Sequence, residues 1–348
     1  MTVSTVKAER TATTPARSEG LSTPSVWPAR LRTTLRVVVG TVLIVVPVFL
    51  FSTLITFLLG ATSGLNPAAG IAGDAATPET IARINAEFGL DKPIWQQYLD
   101  WMGGVLTGDL GVSWFSKIPV SELIGQRLAV SASIAGLALV IGLVFGIGLG
   151  LLAAVYQGSI FDRAVTAYTS VVSTLPPFVI SIGLILVFSV WLGWLPSAGY
   201  IPLEEDPGRW LMLIIMPAVA LSMDVVADIA RQLRTGLVAE LEQDYVVGAV
   251  VRGISPRRIL FVHALRNGAG PALAILGMKI PTLIGGAVVM ETMFSMPGFG
   301  RLAADSALRG DVPIVQGALV VAIVFVLVCN LVVNVVLGTL QPAAKRRE

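Results

Sequence analysis

The residues best suited to chemistry in this chain are three ionisable side chains inside apolar stretches. Asp224 and Asp228 are four positions apart, so an α-helix would place them on one face. Lys279 lies in the next apolar stretch. At 1.5 Å per residue, Asp224 and Lys279 lie about 10 Å and about 12 Å inside their stretches. Ionisable groups at such depth normally face the interior of a helix bundle and pair with each other. We therefore predict an ion pair between Asp224 and Lys279.

These three groups are compatible with more than one role. The pair could brace two helices, or it could line a pathway and contact a solute. Alternatively, Asp224, Asp228 and Lys279 could pass protons in a transporter driven by a proton gradient. The residue types alone leave these roles open.

Other chemistry finds little support in the sequence. The chain of 348 residues has one histidine, His263, and one cysteine, Cys329. A structural zinc site takes four such ligands and an intrachain disulfide takes two cysteines, so we expect neither. The phosphate-binding motif G-x-x-x-x-G-K-[ST] does not occur. We therefore predict no catalytic residue, no metal ligand and no cofactor in this chain, and no binding of nucleic acid.

The elements that must position the three ionisable residues are membrane helices. The sequence is 55% hydrophobic and 13% charged, whereas soluble domains carry about 25% charged residues. Six apolar runs are long enough to cross a bilayer, and they cover residues 37–59, 129–155, 164–193, 210–230, 269–290 and 314–340. The first run is longer than the apolar region of a signal peptide, so we expect it to be retained. Pro176 and Pro177 predict a kink or a break in the third span.

The distribution of basic residues predicts the orientation. Most of the 24 lysine and arginine residues fall in segments on the same side as both termini. The positive-inside rule then makes both termini cytoplasmic. The predicted organisation is a disordered cytoplasmic tail (1–30), a first span (31–60), an extracytoplasmic segment (61–127), a five-helix core (128–342) and a cytoplasmic tail (343–348). Within the core, a cytoplasmic loop covers 232–268.

The longest polar interruption of the C-terminal half, residues 243–271, reads as two short helices with a break between them. Gly253 can adopt the left-handed conformation that ends a helix. Ser255 stands where a helix N-cap belongs, and Pro256 follows at the first helical position. A polar helical hairpin between two spans has no role facing lipid, so we predict that it docks a soluble partner.

The extracytoplasmic segment contains one clear helix signal. Thr77 and Pro78 predict a helix start, and Gly89 predicts its end. The aromatic residues that follow are Trp95, Tyr98, Trp101 and Trp114. They suit either a segment on the membrane–water interface or an ordinary folded loop.

Five stretches together resemble the permease subunits of ABC importers, most closely the first-subunit type of the dipeptide, oligopeptide and nickel family. The stretches are GDLGVS (108–113), LPPF (175–178), LGWLPSAG (192–199), the hairpin with its Asp244-Tyr245 and Arg257-Arg258 pairs, and ETMFSMPGFGRL (291–302). The resemblance covers about residues 85–342. It implies a type I permease fold with six transmembrane helices and a coupling-helix loop between spans four and five.

The resemblance also implies roles for named residues. Contact with a cytoplasmic ATPase would be made by Asp244, Tyr245, Ala249, Gly253, Ile254, Ser255, Arg257 and Arg258. A tight, protruding external loop would face a substrate-binding lipoprotein and the outer mouth of the pathway, through Glu291, Phe294, Pro297, Gly298 and Gly300. The chain departs from the family where Val247 and Val250 replace the usual arginines and Gly248 replaces the usual threonine.

The function that this resemblance implies is import of short peptides across the bacterial inner membrane. The expected partners are a second homologous permease, two ATPase subunits that bind ATP and Mg²⁺, an extracytoplasmic binding protein and membrane lipids. Nickel chelates or other small solutes are alternative substrates within the family. A proton-coupled transporter and a membrane scaffold or sensor without transport activity are alternatives from other classes.

Overall fold

The computed structural model of this protein describes residues 29–64, 66–73 and 76–340. The two predicted tails therefore lie almost wholly outside the described residues. By internal contacts the chain separates into two units, residues 1–48 and residues 49–348. The described part of the first unit is helical, and the same helix continues into the second unit.

The described residues fold almost entirely into α-helices. Four helices precede the predicted core, and they are α1 (Ala29–Thr62), α2 (Pro67–Ala72), α3 (Pro78–Glu87) and α4 (Ile94–Leu106). Four longer or linked helices follow, namely α5 (Val120–Val155), α6 (Ile160–Val172), α7 (Pro177–Leu184) and α8 (Pro207–Leu241). The remaining helices are α9 (Asp244–Val251), α10 (Pro256–Arg258), α11 (Leu265–Gly268), α12 (Gly270–Met293), α13 (Phe299–Arg309) and α14 (Val312–Leu340). Helix α7 continues as a π-helix over Ile185–Trp191, and a second π-helical stretch, Ile259–Ala264, joins α10 to α11.

Five of these helices have segments long and apolar enough to cross a membrane, within α1, α5, α8, α12 and α14. The remaining predicted span, which is the third in chain order, is broken into two helices. Helices α6 and α7 meet at an angle of 106°. The break falls at Pro176-Pro177, because proline lacks the N–H that a continuing helix needs and its ring clashes with the preceding turn. The predicted break in the third span is thus confirmed.

Helix α8 is longer than the sequence predicts. The apolar run ends near residue 230, but the helix continues to Leu241. Residues 232–241, predicted as the beginning of the cytoplasmic loop, are therefore helical. Leu233 and Leu237 are buried on this extension and pack with Ala154, Ala264 and Ala272. This packing holds the polar end of α8 in helical form, and it makes the hairpin a direct extension of a span.

The core is centred on α8, which packs against α5 on one side and α12 on another. Glycines at every fourth position of α5, namely Gly142, Gly146 and Gly150, meet the side chains and backbone of α8 at Val225, Ile229 and Ala230. Small residues at such a crossing let two helix backbones approach closely. Met290 and Phe294, at the end of α12, close the same core cluster.

The segment predicted to be extracytoplasmic, residues 61–127, is folded. The Thr77 side chain accepts the N–H of Thr80 and caps α3, as the sequence predicts. Tyr98 contacts the Phe57 ring edge-on, with centroids 5.5 Å apart, and Trp114 stacks on Phe88 at 5.8 Å. Trp95, in contrast, is exposed. These packed rings favour the folded-loop interpretation for most of the aromatic residues.

Candidate functional site: the hairpin, the charge network and the external loop

The hairpin after α8 has the predicted break between its two helices. Helix α9 ends at Val251, and Gly253 adopts φ +74, a left-handed conformation that costs other L-residues about 1–2 kcal/mol. Ser255 occupies the N-cap position of α10, but its side chain makes no capping hydrogen bond. Val246 and Ala249 on α9 pack against Ile259 in a small core of their own. The hairpin is thus a packed unit with a defined shape.

Glu240 joins the parts of the hairpin, and no motif in the sequence indicated it. Its carboxylate accepts a hydrogen bond from the Tyr245 hydroxyl at 2.8 Å and another from Asn267 Nδ2 at 3.0 Å. Glu240 lies on α8, Tyr245 on α9 and Asn267 on α11. Burial, followed by the hydrogen bond to Glu240, raises the pKa of Tyr245, so the phenol stays protonated and donating. Tyr245, predicted as a partner contact, therefore makes an internal link.

The return of the hairpin packs directly on α8. A Cβ added to Gly268 would lie 2.8 Å from the carbonyl oxygen of Gly236. Real side chains essentially never approach that closely, so the two backbones meet where neither has a side chain. With the bonds of Glu240, this crossing fixes the hairpin to α8 at two places.

The predicted ion pair is present. Lys279 Nζ on α12 lies 2.5 Å from Asp224 Oδ2 on α8. The same ammonium also lies 2.6 Å from Asp228 Oδ2, a second contact that the prediction did not include. Asp228 is bonded in turn to Arg231, one turn further along α8. Two carboxylates and two cations therefore form one network with balanced charge between α8 and α12.

The network continues from α8 to both ends of α6. Arg231 Nη1 lies 3.4 Å from Ser173 Oγ, just after the C-terminal end of α6. Arg234 binds the buried carboxylate of Asp162, in the first turn of α6, through Nε and Nη2. Asp162 also accepts the backbone N–H of Gly158. One face of α8 therefore holds the half-helix that precedes the 106° break. Sequence reasoning missed Asp162 and Arg234, because only folding brings them together.

The external loop differs from its prediction. The sequence suggested a protruding turn, but of the five residues named for it Glu291, Phe294, Gly298 and Gly300 are buried and Pro297 is partly exposed. The prediction that this loop protrudes is wrong. The reason is a polar cluster around Glu291 that folds the chain back onto α12 and lets Phe294 enter the core.

The carboxylate of Glu291 organises that cluster. Ser131 on α5 donates its hydroxyl to Glu291 Oε1, and the N–H of Arg301 donates to Oε2 at 2.8 Å. Ser131 Oγ also accepts the N–H of Phe299 at 2.9 Å. Gly298 packs against the carboxylate itself. Glu291 thus satisfies the N-terminal N–H groups of α13 and ties this helix to α5 and α12.

The protein surface next to this cluster is concave. Pro297 and Gly298 border a cavity of about 440 Å³ that also contacts Arg127, Arg301 and Arg309. Arg127 Nη1 donates to the carbonyl oxygen of Pro297 at 3.3 Å. Asp305 and Asp311 line the same cavity, so the accessible side of the loop is a cleft of mixed charge and not an extended tip.

The fold and these sites together define a class of protein. Within the described residues, five long apolar helices, one broken helix pair and a polar hairpin packed onto the end of a span are the features of an all-helical transport permease. The chain belongs to the family described as binding-protein-dependent transport system inner membrane component, whose sequence model matches residues 146–346. The companion N-terminal family model matches residues 30–135.

Curated relatives place the chain among the peptide permeases of ABC importers. A peptide transport system permease of Brucella abortus (strain 2308) is 37% identical over 86% of this chain and 96% of its own length. A peptide ABC transporter permease of Sinorhizobium fredii (strain NBRC 101917 / NGR234) is 36% identical over 88% and 97%. The dipeptide transport system permease DppB of Escherichia coli (strain K12) is 33% identical over 88% and 97%.

The fold is similar to that of a solved ABC importer. A chain of the methionine ABC transporter MetNI, in an inward-facing conformation, superposes with a TM-score of 0.52 and 17% sequence identity. The match covers 63% of this chain and 97% of that one. It supports the type I permease fold that the sequence predicts.

Proposed function

We propose that this chain is one of two membrane subunits that together form the translocation pathway of an ABC importer for short peptides. The observation that carries the proposal is the fixation of the hairpin to α8 by Glu240 and by the Gly236–Gly268 crossing. Because the hairpin cannot move without α8, a partner that pulls on it changes the position of a span. Rigid-body movement of this kind is a recognised route for switching a membrane pathway.

Energy would come from partners. The sequence contains no phosphate-binding loop of the Walker A type, so ATP and Mg²⁺ would be bound by two cytoplasmic ATPase subunits that dock on the hairpin. The contact would involve the exposed residues Asp244, Gly253, Ser255, Arg257 and Arg258. Tyr245 is exposed as well and could take part in the contact beside its bond to Glu240, whereas buried Ala249 and partly buried Ile254 would shape the hairpin from inside. This chain would itself carry out no chemical step and hold no cofactor.

The external loop and an extracytoplasmic binding protein would form the other end of the pathway. Buried Glu291, Phe294, Gly298 and Gly300 would hold the loop in place, while Pro297 and the cleft beside it would be available for contact. This assignment requires both termini and the hairpin to be cytoplasmic. The excess of basic residues on that side supports the orientation.

The substrate assignment rests on relatives. The Brucella and Sinorhizobium proteins are named peptide permeases, and the Escherichia coli protein is named a dipeptide permease. Short peptides are therefore the first substrates to test, with nickel chelates and other small solutes as alternatives. Selectivity in this reading lies largely in the binding protein.

The charge network between α8 and α12 would brace the pathway. Lys279 is shared by Asp224 and Asp228, and Asp228 also meets Arg231. This arrangement favours bracing over the alternative of a proton-coupled transporter, because the shared ion pairs join α8 directly to α12.

Reconstitution tests the proposal. The chain, a second permease and two ATPases from the same bacterium are placed in liposomes with the cognate binding protein. Peptide-loaded binding protein should stimulate ATP hydrolysis several-fold, and peptide should accumulate only when ATP is present. Uptake driven by a pH gradient without ATP would instead support the proton-coupled alternative. ATPases that never associate with the membrane subunits would support the scaffold alternative.

A further inference from the structure

Helix α4 carries an apolar stripe that the described part of the chain leaves largely uncovered. Trp95, Leu99 and Leu106 are 66%, 58% and 81% exposed, and Met102 among them is partly exposed. Their i, i+4, i+7, i+11 spacing places the four side chains along one line of the helix. We call this set the α4 stripe (Trp95, Leu99, Met102 and Leu106). Because no residue of α4 is buried, packing into the protein core does not explain the stripe.

The other sides of α4 already have partners. On one side, the Tyr98 ring packs on Phe57 of α1. On another, Gln97 donates to the carbonyl oxygen of Lys92 at 2.8 Å, and the Asp100 carboxylate pairs with the Lys92 ammonium at 2.7 Å. At about 100° per residue, the α4 stripe lies between these two sides. Helix α4 therefore has a side packed on protein, a polar side and an uncovered apolar side.

Two hydrogen bonds fix the level of α4 beside the spans. The Tyr98 hydroxyl lies 3.0 Å from Thr53 Oγ1, and Gln316 Nε2 donates to the carbonyl oxygen of Thr53 at 2.9 Å. Thr53 lies nine residues before the end of the span Leu43–Thr62, and Gln316 lies four residues after the start of the span Val312–Val333. At 1.5 Å per residue these counts correspond to about 14 Å and about 6 Å inside the two spans. Tyr98 is therefore deeper in the bilayer than the ends of both spans.

The surface of α1 at this level is apolar and uncovered. Leu54 and Leu58, on either side of the turn that follows Thr53, are exposed, as expected for a span in contact with lipid chains. A helix that lies in the membrane interface typically buries its apolar face about 5–10 Å into the boundary between headgroups and acyl chains. The level of Tyr98 agrees with such a position. Tryptophan is enriched at this boundary, and Trp95 lies in the first turn of α4.

We propose that α4 is an interfacial helix whose stripe inserts among the acyl chains of the leaflet on the side of residues 61–127. Its partner is the lipid surface, and the helix would hold this segment at a fixed height relative to the bilayer. Helix α4 contains no lysine or arginine, and Asp100 is its one charged residue. The attraction is therefore apolar and not electrostatic, so anionic headgroups are not required. This inference goes beyond the proposed function, which assigns no role to α4.

The test places a fluorescent probe on the stripe and another on the polar side of the same helix. Cys329→Ala first removes the single cysteine of the chain. Leu99→Cys and Leu106→Cys then carry the probe NBD on the stripe, and Gln96→Cys, at a partly exposed position, is the matched control. The full chain, with the subunits that copurify with it, is placed in phosphatidylcholine vesicles with or without phosphatidylglycerol. Quenching is measured with a nitroxide-bearing phospholipid and with aqueous iodide.

The two stripe probes should be quenched by the nitroxide lipid at least about twofold more, and by iodide at least about twofold less, than the probe at position 96. Phosphatidylglycerol should not change this result. Copurification of the same subunits as in the wild type shows that a labelled variant is folded. A second measurement needs no variant, because a phospholipid with a photoreactive acyl chain should label residues 94–106 of the wild-type chain. If the variants do not fold, this measurement decides alone.

Equal quenching of stripe and control probes by iodide would show that α4 lies in water, and would overturn the inference. Stripe probes shielded from both quenchers would also overturn it, because another subunit then covers the stripe. Shielding that appears only when the binding protein is added would assign the stripe to that protein instead. A requirement for phosphatidylglycerol, or the absence of photolabel on residues 94–106, would equally contradict the inference. Each of these outcomes leaves the proposed function intact, because none of them concerns ATP-driven uptake.

Discussion

Buried carboxylates occur at both ends of the core, and the two ends satisfy them in different ways. In the half of α8 nearest the hairpin, Asp228 is held by the cations Lys279 and Arg231. At the other end, Glu291 is held by a hydroxyl and backbone N–H groups from its own loop and from α5. A lysine on a flexible stem can keep its contact while two helices shift. Backbone donors cannot, since they move only when their own loop changes shape.

This difference assigns different mechanical properties to the two regions. The charge network joins separate helices through long side chains and can adapt when the hairpin moves. The Glu291 cluster fixes α13 to α5 and α12 and behaves as a rigid frame. We therefore expect substitutions in the network to affect coupling and stability together, and substitutions at Glu291 to affect mainly the fold of the outer end. Four predictions test this contrast, from the largest expected effect to the smallest.

Lys279→Met should be the most damaging single change in the network. It leaves Asp224 and Asp228 without their shared cation, and removing one partner of a buried ion pair typically costs about 3–5 kcal/mol. The melting temperature of the purified complex and peptide uptake should both fall. Adding Asp228→Asn to the variant should recover part of the loss. Lack of any recovery would show that Lys279 acts through packing and not through charge.

Glu291→Ala should destabilise the outer end by about 2–3 kcal/mol, because it leaves the donors of Ser131 and Arg301 without an acceptor. Glu291→Gln retains an acceptor and should cost less. The measurement is thermal unfolding of the complex, with Glu205→Ala at an exposed position as the control. Hydrogen exchange should rise at residues 297–302. If Glu291→Ala is as stable as the control, Glu291 does not hold the external loop in place.

Asp228→Asn should have a larger effect than Asp224→Asn. Asp228 contacts two cations and its side chain is 13% exposed, whereas Asp224 contacts only Lys279 and is 45% exposed. Because solvent screens the exposed Asp224–Lys279 contact, that contact should contribute about 1 kcal/mol or less to stability. The comparison is made on ATP-driven uptake and on melting temperature. The reverse order would indicate that Asp224 contacts the substrate.

Gly253→Ala should have the smallest effect on stability, about 1 kcal/mol, because alanine at φ +74 is strained but the site is exposed. The main effect should be on the coupling between the binding protein and ATP hydrolysis. Basal ATP hydrolysis should persist, while its stimulation by peptide-loaded binding protein decreases. Gly248→Ala, on the helical part of the same hairpin and with open space around it, is the matched control for stability. A normal stimulation ratio for Gly253→Ala would show that the hairpin tolerates a changed break.

Local signals in the sequence predicted local features well. The break at Pro176-Pro177, the Thr77 cap and the reversal at Gly253 depend on one to four neighbouring residues, and each is present. The Asp224–Lys279 pair was predictable for another reason. Two opposite charges at similar depth in adjacent spans have few partners other than each other.

Contacts between distant segments were not predictable in this way. The sharing of Lys279 with Asp228, the link from Glu240 to Asn267 and the pair of Arg234 with Asp162 depend on the angles at which helices cross. The burial of Glu291 depends on Ser131, which lies 160 positions away in the chain. A glycine-rich and proline-containing stretch is compatible with both a protruding loop and a buried one. Only the presence of a donor from α5 decides between them.

The sequence by itself determined that this chain is a helical membrane protein with a polar hairpin, because apolar length, proline positions and charge distribution act locally and add along the chain. The permease class came from the resemblance of five stretches to ABC importer permeases. The tertiary structure decided that α8 continues into the hairpin, that its charges reach both α6 and α12, and that the external loop is a buried frame. These features depend on packing. A helix extends, and a carboxylate is buried, only where another segment supplies the surface or the donors that offset the cost of leaving water.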